Sequence, residues 1–477
     1  MSRTRNSMAP CVRNLVATAV AIGALGTLGG CALNNRFDAP SFAFPGRFRS
    51  DMADPAGTSD VARSLGDLDW RQIYTDAPLQ DLIAEALQAG PDALLAAARV
   101  RESQALASAV RAGALPQAGL VLNTSSTALK AGQDLSSTFV GGLNVSWELD
   151  IWGRYASATA AARSDLMARE ASRNAIEASL VANTASLYYQ IASLRDVLQV
   201  TERAAENQRE VLKLVNRLSN AGVSSAAEVR QQEAVVATTA ARVPALRRQI
   251  SEAENALSVL VGRVPGALRL TGPVTLALPA LPPAGLPSTL LERRPDLRQA
   301  TAQMQAANAR VNEAKAQFFP SISLTGLFGG ISTTLSDVLT GQAPRVASLG
   351  PNILLPLYAG GALQGNEDAT LARLDQAIIS YRKAVLAALG EVSDALLAYS
   401  SSAEVLAIQD DRVRASREVQ RLAEMRFGAG TTSFVEVLDA QRQLLAAETD
   451  AVQSALDRRL ALVRLYLALG GGWASPR

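Results

Sequence analysis

The chain contains no histidine among its 477 residues. This removes the commonest general base and the commonest protein metal ligand. Two cysteines are too few to build a zinc site by themselves. No nucleophile motif, phosphate-binding loop or metal-ligand cluster is present, so neither an enzyme nor a cofactor site is expected. Aromatic residues make up only 5%. Proline is missing from residues 153–219 and again from 361–427, so nothing there forces a helix to break. Charge of one sign is lacking too. The net charge is +2, and three of the basic residues lie in the N-terminal leader described next. That argues against a general nucleic-acid binder.

What is present is apolar and small. Hydrophobic residues make up 48% of the chain, mostly Ala, Leu and Val, which suit long, closely packed helices. Arg3, Arg5 and Arg13 precede an apolar run from Leu15 to Leu28. A charged segment followed by a short apolar one reads as a secretory signal rather than a membrane span. It ends in Leu28-Gly29-Gly30-Cys31, which resembles a bacterial lipobox. That pattern implies cleavage before Cys31 and lipid on its sulfur. Cys11 would leave with the signal, and no disulfide is possible. Ala32 rather than Asp follows the cysteine, which fits sorting to the outer membrane. The expected division is a signal over 1–30, a lipid-anchored tether over 31–66, a first repeat over 67–270, a linker over 271–287, a second repeat over 288–470 and a tail over 471–477.

The repeat is read from offsets. Pro91-Asp92 recurs as Pro295-Asp296 and Pro116 as Pro320, 204 residues later. Beyond those prolines Gly153 maps to Gly361, Gly222 to Gly430, Glu228 to Glu436 and Gly262 to Gly470, 208 residues later. Solenoid units run to about 20–50 residues, so this is one structural half built twice. The offset changes between Pro116 and Gly153.

Within each half the periods change in the same order. Leu79, Leu82, Ile83, Ala86 and Leu87 have helical spacing, and the helix continues past a break at Gly90-Pro91 to about Gly113. Residues 117–128 and 137–150 then read as two strands, with Gly141-Gly142 interrupting the alternation. The second half repeats this from Ser321 to Phe328 and from about Val346 to Leu357. Turns are expected at Ala131-Gly132-Gln133-Asp134 and at Gly341-Gln342-Ala343-Pro344. About ten residues suffice for a tilted strand to cross a bilayer.

A long helix follows each strand pair. Leu180, Thr184, Leu187, Ile191, Leu194 and Leu198 alternate spacings of four and three. So do Val385, Leu389, Val392, Leu396, Tyr399, Ala403 and Leu406. This is the seam of a coiled coil. At ~1.5 Å per residue each long helix reaches about 100 Å. A glycine turn ends each, at Asn220-Ala221-Gly222-Val223 and Gly428-Ala429-Gly430-Thr431. Helices over 226–262 and 433–469 return. They are too short to retrace the whole length, so the helix before each strand pair is expected to continue the line end to end.

Strands that cross a membrane must close into a barrel. Four strands cannot close, since the smallest such barrels have about eight, whereas three copies supply twelve. The fold class expected is therefore mainly α with β. Long coiled-coil-like helices would form a twelve-helix α-barrel, which the family resemblance described next makes periplasmic, and four strands per chain would contribute to a trimeric 12-stranded outer-membrane β-barrel.

The chain resembles the TolC-like outer membrane factors, specifically their drug-efflux lipoprotein branch. The resemblance lies in the lipobox, Leu68-Asp69-Trp70, Ala77-Pro78-Leu79, Arg293-Arg294-Pro295-Asp296 and Phe319-Pro320-Ser321. It extends through Trp147-Glu148-Leu149-Asp150 with Gly153-Arg154, Pro356-Leu357-Tyr358 with Gly360-Gly361, and Gly430-Thr431 with Val437-Leu438-Asp439-Ala440. It covers about residues 65–470. It implies a homotrimeric duct through the outer membrane that exports drugs or other toxic small molecules. A periplasmic adaptor and an inner-membrane pump of the resistance-nodulation-division type would supply the energy. Absence of His and scarcity of Met argue against a dedicated copper or silver route. A type I protein-secretion duct would share the fold, and the lipobox tilts against it. A structural periplasmic coiled-coil lipoprotein would need no strand hairpins.

The resemblance places the returning-helix tips at the periplasmic entrance, where acidic residues narrow the pore. The matching residues are Glu436 and Asp439, which share a helix face. Three-fold assembly would form two carboxylate rings whose repulsion favours an open pore. Each has a local alternative. Ser433-x-x-Glu436 matches a capping box, as does Ser225-x-x-Glu228. Asp439 can pair with Arg442, and its counterpart in the first half is Gln231. Some family members add an arginine and a tyrosine to the closed entrance. Those positions here are Thr432 and Phe427, with Arg426 and Arg442 as candidate substitutes. The turns Gly222-Val223-Ser224 and Gly430-Thr431-Thr432 are candidate adaptor contacts, or serve only to reverse the chain. Trp147 and Trp152 mark the membrane interface or pack between hairpin and helix.

Overall fold

The computed structural model describes residues 65–127, 136–267 and 290–473. The signal, Cys31, most of the tether, the turn Ala131–Asp134, the 271–287 linker and all but the start of the tail lie outside them. Two compact units result. One takes its described residues from Arg101–Ala168 and Ala300–Tyr381, the other from Phe42–Val100, Arg169–Gln299 and Arg382–Arg477. Each draws on both sequence repeats.

The helices follow the expected punctuation. Asp69 accepts Arg71 N–H at 2.8 Å and caps the short α1 (Trp70–Ile73). Pro78 lies in the first turn of α2 (Ala77–Ala89), where a missing N–H costs nothing. Gly90 ends α2, and α3 (Pro91–Ala112) begins at the next residue. The two long helices, α4 (Arg154–Asn220) and α9 (Ala362–Gly428), have 67 residues each. The returning α5 (Ala226–Val261) has 36 and α10 (Phe434–Ala468) has 35. α5 runs on through Pro244. Between them, α6 (Leu290–Arg293) leads into α7 (Pro295–Ala316). Every seam position expected on α4 and α9 is buried or half-buried. No helix among the described residues is long and apolar enough to cross a membrane, which says nothing of the sheet.

That sheet belongs to the first unit. β1 (Gln117–Thr127), β2 (Ser136–Leu149), β3 (Ser321–Ser332) and β4 (Arg345–Leu354) form one antiparallel meander in chain order. β1 and β4 are its two edges. The register puts Leu122 opposite Gly141, Gly141 opposite Gly330 and Gly330 opposite Arg345. Since side chains alternate, one face carries Leu120, Leu122, Leu143, Val145, Phe328 and Leu349. The other is the more polar one, carrying Asn123, Asn144, Ser146, Ser323, Thr325 and Asn352 together with Val140, Leu327 and Ile331.

Three expectations need correction here. Gly141-Gly142 does not interrupt β2. It pairs with Gly330 and Gly329 where the two backbones approach closely: a Cβ at 329 would sit 2.0 Å from Gly141 O. β3 continues four residues past Phe328, and β4 stops before Pro356, whose missing N–H cannot extend a ladder. The loop between them holds a short helix, α8 (Leu335–Thr340), and Gly341 is that helix's C-cap at φ 76°. Six residues show too little periodicity to reveal a helix in sequence.

Strand-to-helix junctions in this unit are pinned by polar contacts. Trp147 Nε1 donates to Ala114 O at 3.0 Å. Trp152 Nε1 donates to Pro320 O at 2.7 Å and its ring stacks on Phe319 at 4.9 Å. Both tryptophans thus pack between strand and helix segments. Asp150 accepts the N–H groups of Tyr155 and Ala156 at 3.0 and 2.7 Å, capping α4. Arg154 bridges Glu148 at 2.7 Å.

In the second unit the end-to-end stacking is visible as glycine contacts. Gly262, at φ 87°, ends α5 so close to α2 that a Cβ there would lie 2.5 Å from Ala89 O. Arg263 pairs with Glu85 across this joint, Nε to Oε1 at 2.6 Å. The second repeat makes the same joint at Gly470, φ 82°, against Arg293 and Arg294.

Candidate functional site

Both long helices end in the same turn. Gly222 has φ 79°; its N–H donates to Ser219 O at 3.0 Å, and Val223 N–H donates to Leu218 O at 2.9 Å. Gly430 has φ 71°; its N–H donates to Phe427 O and Thr431 N–H to Arg426 O, each at 2.9 Å. These are Schellman caps. A Cβ at either glycine would meet nothing within 4 Å, so backbone conformation rather than space demands glycine. Gly222, Val223, Gly430 and Thr431 are exposed, and Ser224 and Thr432 are half-buried. The six candidate turn residues therefore form two surface loops of one geometry.

The helices that leave these turns start differently. Ser225 and Glu228 form the expected capping box: Glu228 N–H donates to Ser225 Oγ at 3.3 Å and Ser225 N–H to Glu228 Oε2 at 2.8 Å. The box expected at Ser433 and Glu436 does not form, because the Ser433 side chain makes no cap hydrogen bond. Glu436 instead reaches across the turn, accepting Arg426 Nη1 at 3.0 Å and the Thr432 hydroxyl. The reason lies in the repeat. Arg426 corresponds to Leu218, so only the second half offers a guanidinium, and a charge-assisted bond outcompetes a backbone N–H.

Asp439 makes the pair anticipated with Arg442 and a second bond with Gln443. The Arg442 hydrogen bond first, then Gln443, hold its carboxyl below the ordinary 3.8. Its side chain is 43% exposed, so water competes for both partners. The first-half counterparts are Gln231, Ala234 and Val235, and the pairing there is Arg230 with Glu233 at 2.7 Å. Gln443 had a readable signal, four residues beyond Asp439 on one helix face.

Beneath the second turn lies a small apolar core of Val215, Ala423, Phe434, Val437 and Ala440. Phe427 packs against it with its ring 5.1 Å from Phe434. The position that carries a tyrosine in some family members is thus spent on packing. One acid faces Arg426 and the other Arg442, in the same chain.

The model of the outer membrane efflux protein family matches residues 82–263 and 286–471. The chain belongs to the outer membrane efflux protein family. It is the outer-membrane channel component of an efflux system. It is 34% identical over 465 residues to the pyoverdine export outer membrane protein OpmQ of Pseudomonas aeruginosa, covering 94% of this chain and 96% of that one. It is 32% identical over 455 residues to the antibiotic efflux pump outer membrane protein ArpC of Pseudomonas putida, covering 94% and 93%. Among solved structures it is similar to the outer-membrane channel OprN, with a TM-score of 0.80 at 29% identity over 91% of this chain and 99% of that one. The open state of the Neisseria gonorrhoeae MtrE channel gives 0.81 at 29% identity, over 93% and 98%.

Family membership also gives the quoted motifs a physical reading. Tyr466 OH donates to Leu68 O at 2.7 Å, and Trp70 is buried. Arg293 pairs with Asp67 at 2.9 Å. Arg294 is 8% exposed and donates to Asp296 and Glu391 at 2.7 Å and to Ala468 O at 3.1 Å. Burial disfavours its charge, and the carboxylates of Asp296 and Glu391 outweigh that and raise its pKa overall. These residues hold the channel's helix joints; the entrance candidates lie on the turns.

Proposed function

We propose that this channel is a homotrimer, anchored by lipid on Cys31, that docks on a periplasmic adaptor and passes small toxic molecules from an inner-membrane pump of the resistance-nodulation-division type. The sheet carries this reading. It has two unpaired edges, one apolar face and one polar face, and an open edge in lipid costs several kcal/mol per unsatisfied group. Three copies joined β4 to β1 would close twelve strands around a polar lumen. Leu357 and Tyr358, 89% and 91% exposed, lie just past β4, where a neighbouring copy would cover them. Names of relatives such as pyoverdine export and antibiotic efflux support a small-molecule cargo.

The entrance is proposed at the turns after α4 and α9. Asp439 and Glu436 remain its gate residues, in a form altered by their partners. Each carboxylate carries its own arginine, so three copies would set near-neutral pairs around the opening rather than bare anionic rings. Repulsion between acids is then weak, and closure rests on how Arg426 and Arg442 are shared between copies. The Gly222-Val223-Ser224 and Gly430-Thr431-Thr432 loops, exposed and alike, would offer the adaptor six similar contacts in a trimer. Single-channel recording of purified protein in planar bilayers tests the core of the proposal. Absence of conductance from correctly assembled protein would remove the duct reading. Co-purification with an adaptor, lost on Gly430→Trp while trimers persist, tests the contact role.

A further inference from the structure

The short helix α8 has no place in the duct reading, yet it is built onto the sheet with some care. Gly141 and Gly330 face each other across β2 and β3. A Cβ at Gly141 would lie 2.5 Å from Val338 Cγ1, and one at Gly330 would lie 2.9 Å from Ala343 Cβ. Only glycine at both positions lets α8 and the segment behind it settle on the strands. The segment is also tied down by hydrogen bonds. Ser332 Oγ donates to Asp337 Oδ2 at 3.0 Å, Ala343 N–H to Asp337 O at 2.9 Å and Ile331 N–H to Pro344 O at 3.1 Å.

Register decides which face it occupies. A Cβ on Gly141 would also lie 3.4 Å from Leu122 Cδ1, and Gly141 alternates in phase with Leu143 and Val145. α8 therefore sits on the apolar face, which in a membrane barrel points to lipid rather than into the lumen. Val338 turns toward the glycines. Leu335 and Leu339, four residues apart and so on one side of the helix, remain 39% and 69% exposed. Gly330 is two residues from the end of β3, so this seat lies at the end of the ladder, not mid-strand. Arg345, exposed and opposite Gly330, puts a cation at the same level.

We infer that α8 is an interfacial helix, lying on the outside of the barrel with Leu335 and Leu339 in the acyl chains of the outer leaflet and Arg345 at the headgroup phosphates. Longer amphipathic helices seat about 5–10 Å into the headgroup–acyl boundary, and the one turn of α8 would enter it only as far as its two leucines reach. A second copy of the chain is the competing occupant. α8, however, rests on the central strands β2 and β3, whereas another copy would pair with the edges β1 and β4. The device would fix the depth of the barrel in the outer leaflet independently of any lipid on Cys31. The inference rests on the sheet's being part of a membrane barrel.

The test is nitroxide accessibility in the full chain, reconstituted in vesicles of phosphatidylethanolamine and phosphatidylglycerol. The label is placed by Leu339→Cys, and the parent chain treated identically supplies the background from its own cysteines. Leu349→Cys on the apolar face and Ser348→Cys on the polar face serve as references. Expected is a Leu339→Cys label reached by oxygen and several-fold less by a water-soluble nickel chelate, like the Leu349→Cys label. A label reached by the nickel chelate places α8 in water and overturns the inference; a label reached by neither reagent means that protein covers it, and also overturns it. If the two references fail to differ from each other, the membrane-barrel reading itself falls, and α8's role with it.

Discussion

Asp439 and Arg294 show two ways of holding a charge. Asp439 is half-buried and paired along its own helix, and Arg442 and Gln443 depress its pKa below 3.8. A depressed carboxyl keeps its charge, and the pairing that depends on it, at all pH values above the ordinary one. Both are lost only as pH falls through the lower folded value. Currents recorded between pH 7 and 5 are therefore expected to show no step that Asp439→Asn abolishes; such a step would mean that the pair is broken in the trimer. Asp439→Ala leaves Arg442 unpaired at the proposed entrance. It is expected to raise conductance, shift selectivity toward anions and weaken any dependence on divalent cations. Unchanged bilayer currents would count against the gate. Arg294 is buried, and Arg294→Ala removes bonds to Asp296, Glu391 and Ala468 O together. The expected cost is about 1–3 kcal/mol, because Asp296 and Glu391 can turn to water. Thermal unfolding in detergent measures it. The acids were legible as candidates because the repeat exposes Gln231 against Asp439. Arg442 was legible as the partner of Asp439, three residues on along one helix face. The pairing of Glu436 with Arg426 was not, since sequence shows that the two are near but not that the guanidinium displaces the Ser433 cap.

At the scale of elements, glycine decides what packs and what turns. Gly222 and Gly430 are required by positive φ, with open space around them. Gly142 and Gly329 are required by close approach between strands, where a Cβ would meet backbone that cannot move aside. Gly329→Ala is therefore expected to disrupt β2–β3 pairing and to abolish the oligomer band that the proposed trimer would give on unheated gels. Gly119→Ala, where a Cβ meets nothing within 4 Å, should leave assembly intact. A Gly329→Ala protein that assembles normally would show that the two strands can separate locally. Long elements were readable because period and the absence of proline act over many residues, as in α4 and α9. α8 has no legible period because Leu335, Val338 and Leu339 form one turn amid polar residues, and it is the seat of Val338 on Gly141 that settles that turn on the sheet.

For the whole molecule, the two faces of the sheet make the sharpest contrast. Leu349 and Ser348 are neighbours on β4, one on each face. Leu349→Arg is expected to destabilise the barrel by about 2–4 kcal/mol, the cost of a cation near mid-bilayer on the lipid side, whereas Ser348→Arg should cost little. Unfolding from lipid vesicles compares the two, and equal costs would mean that the faces are assigned the wrong way round. The repeat, the equal long helices, the glycine turns and the strand pairs were determined by the sequence alone, because each is a local pattern of period or punctuation. Only the tertiary structure decided the rest. It took Glu436 from its cap to Arg426, tied Trp147 and Trp152 to strand–helix junctions, brought β2 against β3 through paired glycines, and laid α8 on the apolar face. Each of these depends on which residue of a distant segment arrives within bonding or van der Waals reach. A linear pattern does not carry that information.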